Sequence, residues 1–268
     1  TADVAALTTA QVSTLSTSNM AALTSAQVNV LSSDQLQSLS SAQINALDAA
    51  DVTAMGTNQI AALSTAQISK ISANAIAGLS GGQIGSLSTD KLSVLTTGQT
   101  QSLTNTQIRA LTTGQMAGFS TASLAALTTT QIGSFNANQL NALSTAQVAS
   151  LETADIAKLG ASIVSALSND NITAMTSGQV KALDSTQLKA LSSAQLNALD
   201  TADLAAMGTS QIQALSTGQV ASLSTDRLTV LTTGQIQALT SSQVAGLTSG
   251  QVASLTTSQV ESLTTAQI

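Results

Sequence analysis

The large apolar residues of this chain recur every eight positions from one end to the other without a slip in register. Leu7, Leu15, Leu23, Leu31, Leu39 and Leu47 open one column, which continues through Met55, Leu63, Ile71 and Leu79 to Leu263. A second column runs Val4, Val12, Met20, Val28, Leu36 and Ile44 onward to Ile268, with Thr100 as its one polar member. A fixed short period of this kind specifies a repeat architecture, in which each unit leans on its neighbours.

Two polar columns lie between the apolar ones. The residue after each Leu is usually Ser or Thr (Thr8, Ser16, Thr24, Ser32, Ser40), replaced mainly by Asp48, Asn136, Asp184, Asp200 and the glycines Gly56, Gly160 and Gly208. Three residues later stands Gln (Gln11, Gln27, Gln35, Gln43), with Asp51, Asp155, Asp203, Asn19 and Asn171 as substitutes. The consensus is Leu-[Ser/Thr]-x-x-Gln-[Val/Ile/Leu]-x-x with small residues at x. Ser or Thr followed three residues on by Gln is a capping box. The Thr8 hydroxyl is expected to accept from the Gln11 backbone N–H, and the Gln11 side chain to reach back to Thr8. The same holds for Thr24 with Gln27, and Asp48/Asp51 and Asp200/Asp203 occupy the same two columns. Asp, Asn and Gly are the other accepted N-caps. Leu7 and Val12 flank the box as a hydrophobic staple. Leu7, Val12, Leu15, Leu23, Val28 and Leu31 begin the expected apolar spine.

A helix start signal in every octad predicts an all-α solenoid of one-turn helices. A single continuous helix would turn roughly 800° per octad, so its apolar stripe would drift about 80° per repeat and no partner could follow it. A β-solenoid is the alternative, since Ser, Thr and Val favour strands. Strands, however, place apolar residues at i and i+2, and here the spacings are three and five. Disorder conflicts with two strictly kept apolar columns in a chain that is 43% hydrophobic. One octad cannot fold alone: two buried aliphatics at roughly 1.5–3 kcal/mol each do not offset eight ordered residues at about 1–2 kcal/mol each. Neighbouring octads must stack, and Gly82, Gly98, Gly114, Gly178 and Gly234 are expected to let successive turns approach closely.

Residues 1–268 read as one uninterrupted octad array, a segment of a longer chain or a filament subunit. A weaker, longer repeat overlies it. Asp48–Leu63 (DAADVTAMGTNQIAAL) matches Asp200–Leu215 (DTADLAAMGTSQIQAL), and Ser88–Gln99 matches Ser224–Gln235. The offsets differ by whole octads, as duplication with gain or loss of units would leave them. A spacer or fibre tolerates such changes of length; a catalytic domain does not.

Composition narrows the functions. Seven basic residues are scattered among thirteen acidic ones, for a net charge of −6, so the basic stripe that nucleic-acid binding needs is missing. There is no His or Cys, which removes the usual general base and strong nucleophile and the thiolate metal sites. The carboxylate pairs Asp48/Asp51, Asp200/Asp203 and Glu152/Asp155 stand where negative charge favours a helix N-terminus. Asp90–Lys91 and Asp226–Arg227 read as opposite charges on a solvated face. Met20, Met55, Met116, Met175 and Met207 lie in the apolar columns as core fillers. Asn171-Ile172-Thr173 matches the N-glycosylation pattern.

The run Leu-Thr-Thr-Ala-Gln-Val at Leu7–Val12 resembles the octad tracts of very large bacterial surface proteins often labelled haem-utilisation or adhesion proteins. That resemblance implies an exported, cell-surface or extracellular structural role. Its haem aspect finds no ligand in a chain without His, Tyr or Cys. The same run also looks like the helix start of plant-pathogen DNA-binding effector repeats, but those are far longer and basic along their binding path. The expectation is a structural protein and no enzyme: an extracellular or cell-surface fibre or filament, or an adhesin stalk. It would self-associate into filaments or join other surface components, with no cofactor, nucleic acid or small-molecule substrate and no transmembrane segment. The alternative is a binding solenoid that shows a regular Ser/Thr/Gln face to a protein, a glycan or an ice surface.

Overall fold

The computed structural model describes all 268 residues. It holds 33 α-helices of four to six residues and no strand, so the solenoid is all-α and the β alternative is excluded. No residue has positive φ and no peptide bond is cis.

Each octad starts and stops its helix by local chemistry. In the octad of Asn105–Ala110, Thr104 is extended and its side chain accepts from the Gln107 N–H. Leu111 at the far end is again extended, at φ −63° and ψ 133°. Its N–H closes on the Ile108 carbonyl at 3.2 Å, a 3₁₀-type bond that tightens the last turn. Thr112 then caps the next helix by accepting from Gln115. The extended N-cap, preceded in octads such as this one by an extended Leu, turns the chain between helices with neither Pro nor a left-handed residue required.

The chain forms two compact units, Thr1–Ala142 and Leu143–Ile268. Within each, a helix packs against the helix three octads on. Ser25–Asn29 meets Ala49–Ala54 and Ala73–Gly78 meets Thr97–Ser102 in the first unit. Ala161–Ser165 meets Ser185–Ala190 and Ser177–Lys181 meets Thr201–Ala206 in the second. The core of each unit is the two apolar columns, the five methionines and both phenylalanines included. Val12, Val28 and Leu31 are buried. Leu7, Leu15 and Leu23, in octads with a neighbouring turn on one side only, are half-buried. Val252 and Val260 are likewise about half exposed, where the interior members of their column are sealed.

Close approach between turns falls at other glycines than expected. A Cβ at Gly98 would meet nothing within 4 Å, and at Gly82, Gly114, Gly178 and Gly234 the nearest atoms stand 3.5 to 4.0 Å away. At Gly78 and Gly246 a Cβ would press on the side chains of Thr53 and Thr217, and at Gly118 it would meet backbone, 2.7 Å from the Thr89 carbonyl oxygen and 2.8 Å from its Cα. The reason is positional: residues 98, 114 and 234 sit two places into their octads on the outer side, whereas Gly118 lies against the preceding turn.

Candidate functional site

The feature that organises both units is the Gln column. Thr8 shows the local half: its N–H donates to Gln11 Oε1 at 2.8 Å, and the Gln11 N–H donates to its hydroxyl at 3.2 Å. Thr24 and Gln27 repeat this. Gln11 is exposed and Gln27 half-buried. From Gln35 onward the column is mostly buried, and the amide nitrogen takes up a second task. Gln43 Nε2 donates to the carbonyls of Leu15, Ser13 and Val12 at 2.8, 3.2 and 3.3 Å. Those residues end an octad four units earlier. Gln107 bonds to Leu79 and Ile76 at 2.7 Å each, and in the second unit Gln235 bonds to Met207 and Leu204 at 2.8 Å each.

Each Gln is thus a clamp. Its oxygen satisfies an N-cap N–H of its own helix, and its nitrogen satisfies the closing Leu carbonyl of another, which would otherwise be orphaned, and adds a second bond to the Val or Ile carbonyl that already accepts from that Leu N–H. The separation of 28 residues from Gln43 to Leu15 and the packing three octads on together place one turn of the coil between three and four octads. The capping box read from sequence accounts for the oxygen and misses the nitrogen. A capping box accepts Glu as readily as Gln, so the dominance of Gln, with Lys91 and Arg227 as further N–H donors, is the trace the clamp leaves in the sequence.

The substitutes test this logic. Lys91 and Arg227 belong to the Gln column and are half-buried, so they do not lie on a solvated face. The Lys91 ammonium donates to the Ala61 carbonyl, and Arg227 Nε donates to Leu199 at 3.3 Å, each replacing the amide with another N–H donor. Ser123 reaches the Leu95 carbonyl at 3.4 Å. Asp cannot donate when ionised. Asp48 caps Asp51 at 2.8 Å and Asp200 caps Asp203 at 2.7 Å, and both second carboxylates are buried. A serine 26 residues earlier donates to each: Ser25 to Asp51 at 3.0 Å and Ser177 to Asp203 at 2.7 Å. Burial above all raises the Asp203 pKa from its ordinary value, and the Asp200 charge adds to it against the Ser177 hydrogen bond. Burial is also the main cause of a raised pKa at Asp155, with the Glu152 charge assisting. Glu152 itself makes no side-chain cap bond. Asn171, the first residue of the glycosylation triplet, is buried.

No three His, Cys, Asp or Glu side chains converge to hold a metal, and no helix is long and apolar enough to cross a membrane. Clamps, caps and two apolar columns define a repeat protein of short stacked helices. More particularly, the chain belongs to the ALTTAQ repeat family, whose pattern matches residues 1–33, 29–65, 52–89, 116–151, 148–185, 196–233 and 228–257. No curated protein matches the chain.

Proposed function

We propose that this chain is a structural repeat protein that builds an extracellular or cell-surface fibre, filament or adhesin stalk, and that it performs no catalysis. The observation that carries this reading is where the polar side chains go. The cap-column Ser or Thr and the Gln of most octads are used within the coil, as caps and as clamps between turns, as in the octad of Thr104 and Gln107. Polar chemistry spent on holding one turn to the next suits a load-bearing element whose length changes by whole octads. The resemblance to octad tracts of large bacterial surface proteins supports the location, and scarcity of charge suits lateral or end-to-end association with other copies or surface components.

Electron microscopy of the purified chain over a range of concentrations tests it. Ordered filaments, or elongated particles decorating the surface of cells that express the chain, are the expected result. Monomeric particles with saturable binding to a glycan or with thermal hysteresis would replace this reading by that of a binding solenoid.

A further inference from the structure

The Gln clamps define a receptor for positive charge that one octad leaves to something other than the protein. At most clamps, two or three carbonyl oxygens from the end of one octad converge on a single nitrogen, as at 2.8 Å each for Gln139 on Leu111 and Ile108. The convergence accepts full cations as well as amides: an ammonium at Lys91 and a guanidinium at Arg227. Counting 28, 30 and 31 residues back from Asp203, as from any Gln of the column, gives the carbonyls of Met175, Thr173 and Ile172. Those of Met175 and Thr173 accept no other protein hydrogen bond. Asp203 is one methylene shorter than Gln, only 2% exposed, and its Oδ2 has no hydrogen-bond partner. Oδ1 is engaged by Ser177. A buried carboxylate normally gains a paired charge or coordinates a cation, and the charged neighbour acting on this one, Asp200, repels it.

We propose that the second unit binds a small monovalent cation between Asp203 Oδ2 and the carbonyl oxygens of Ile172, Thr173 and Met175. Charge selects the class of ion: one carboxylate among neutral carbonyls matches a single positive charge, and the same column already accepts the single charges of Lys91 and Arg227. Asp51 provides the contrast: it stands in the same column, but both its oxygens already accept, from Asp48 N–H at 3.2 Å and from Ser25. This inference is independent of the fibre reading.

Hydrogen–deuterium exchange of the full chain tests it, in the chlorides of sodium, potassium, ammonium and tetramethylammonium at equal ionic strength. Peptides covering 169–177 and 200–207 are expected to exchange about tenfold more slowly in at least one small cation than in tetramethylammonium, saturably, since a ligand that binds the closed form suppresses opening in proportion to its occupancy. D203Q, which carries its own amide donor, should exchange alike in all four salts, and D51Q should keep the wild-type dependence. Should D203Q fold poorly by circular dichroism, the uncharged D203N must lose the dependence instead. Equal exchange of the wild type in every salt overturns the site, as does a salt dependence that survives D203Q. Slowing by acid alone, with no difference between cations, overturns it in favour of a proton.

Discussion

The octads Asp48–Met55 in the first unit and Asp200–Met207 in the second are near copies. Both start with an Asp cap, both bury a second Asp where Gln normally stands, and both receive a serine hydroxyl from 26 residues earlier. They differ in the second carboxylate oxygen, which accepts from the cap N–H at Asp51 and has no partner at Asp203. Set against the Gln octads, the pair shows how the array tolerates substitution. In these two octads the acid in the clamp column meets a donor from the adjoining turn, Ser25 or Ser177, whereas the buried Asp155 accepts only from the Glu152 N–H of its own octad. A column position is therefore judged by what lies 26 to 31 residues away, beyond its own octad.

The harshest way to break that comparison is to place an acid where no serine awaits it. Gln99 is buried, donates to Ile71 and Ile68 at 2.7 and 2.8 Å, and has Ala73 at the position 26 residues back. Q99D is expected to cost about 3–5 kcal/mol, as for other uncompensated buried charges. Adding A73S should restore about 1.5–3 kcal/mol, the worth of a hydrogen bond to a charged group. Urea unfolding of the four members of this cycle measures the coupling. A coupling energy of zero would show that Ser25 and Ser177 are incidental.

Backbone spacing between turns gives a smaller effect. Gly118→Ala drives a Cβ into the Thr89 backbone and is expected to cost about 1–3 kcal/mol, the range for overpacking. Gly98→Ala, with nothing in reach, should be neutral or stabilising by up to about 1 kcal/mol. Equal effects at the two positions would mean that Gly118 is not a contact point between turns. Thr100 sharpens the same contrast inside the core: it is fully buried and its hydroxyl has no partner. Thr100→Val should stabilise the first unit by about 1–2 kcal/mol, because an unsatisfied buried group is removed with its shape kept.

Asp203 can also be probed by pH. The raised pKa of Asp203 means that the folded state holds its proton at a pH where the unfolded chain, near the ordinary value of about 3.9, has lost it. Stability therefore rises as pH falls through the folded value, and the gain is complete once pH reaches the unfolded one. With tetramethylammonium as the only salt cation, the difference in thermal midpoint between wild type and D203Q should shrink on acidification. A difference constant from neutral pH to about 4 counts against a shifted carboxyl.

Much of this architecture is legible in the sequence because its signals are local. Thr8, Gln11 and Val12 carry a helix start within five residues, and the spacing of Leu7 to Leu15 sets the repeat. What was not legible is non-local. The Gln43 amide finds its acceptors at Leu15, Ser13 and Val12 only once the pitch of the coil is known, and no column of the sequence encodes that pitch. For the same reason Lys91 and Arg227 read as surface charges until the preceding turn placed carbonyls in front of them, and the glycines of close approach were assigned to the wrong column. The dominance of Gln in its column is the visible trace of the clamp.

The mildest perturbation separates the two halves of the clamp. Gly56 and Gly208 stand as N-caps without a side chain, yet their N–H groups still donate to Gln59 Oε1 at 2.6 Å and Gln211 Oε1 at 2.8 Å. The glutamines still bond onward to Leu31 at 2.6 Å and Leu183 at 2.9 Å. These octads therefore lack the hydroxyl half of the box while the clamp between turns is intact. A serine side chain at Gly56 has room, since its Cβ would meet only Gln59 Oε1 at 3.6 Å. Gly is itself a fair N-cap, inferior to Ser by only a few tenths of a kcal/mol, so G56S and G208S should each stabilise by about that amount. Exchange at the Gln59 and Gln211 amides should slow, with the clamps onto Leu31 and Leu183 unchanged. A gain of several kcal/mol from either substitution would mean that the cap, and not the clamp, sets the stability of the octad.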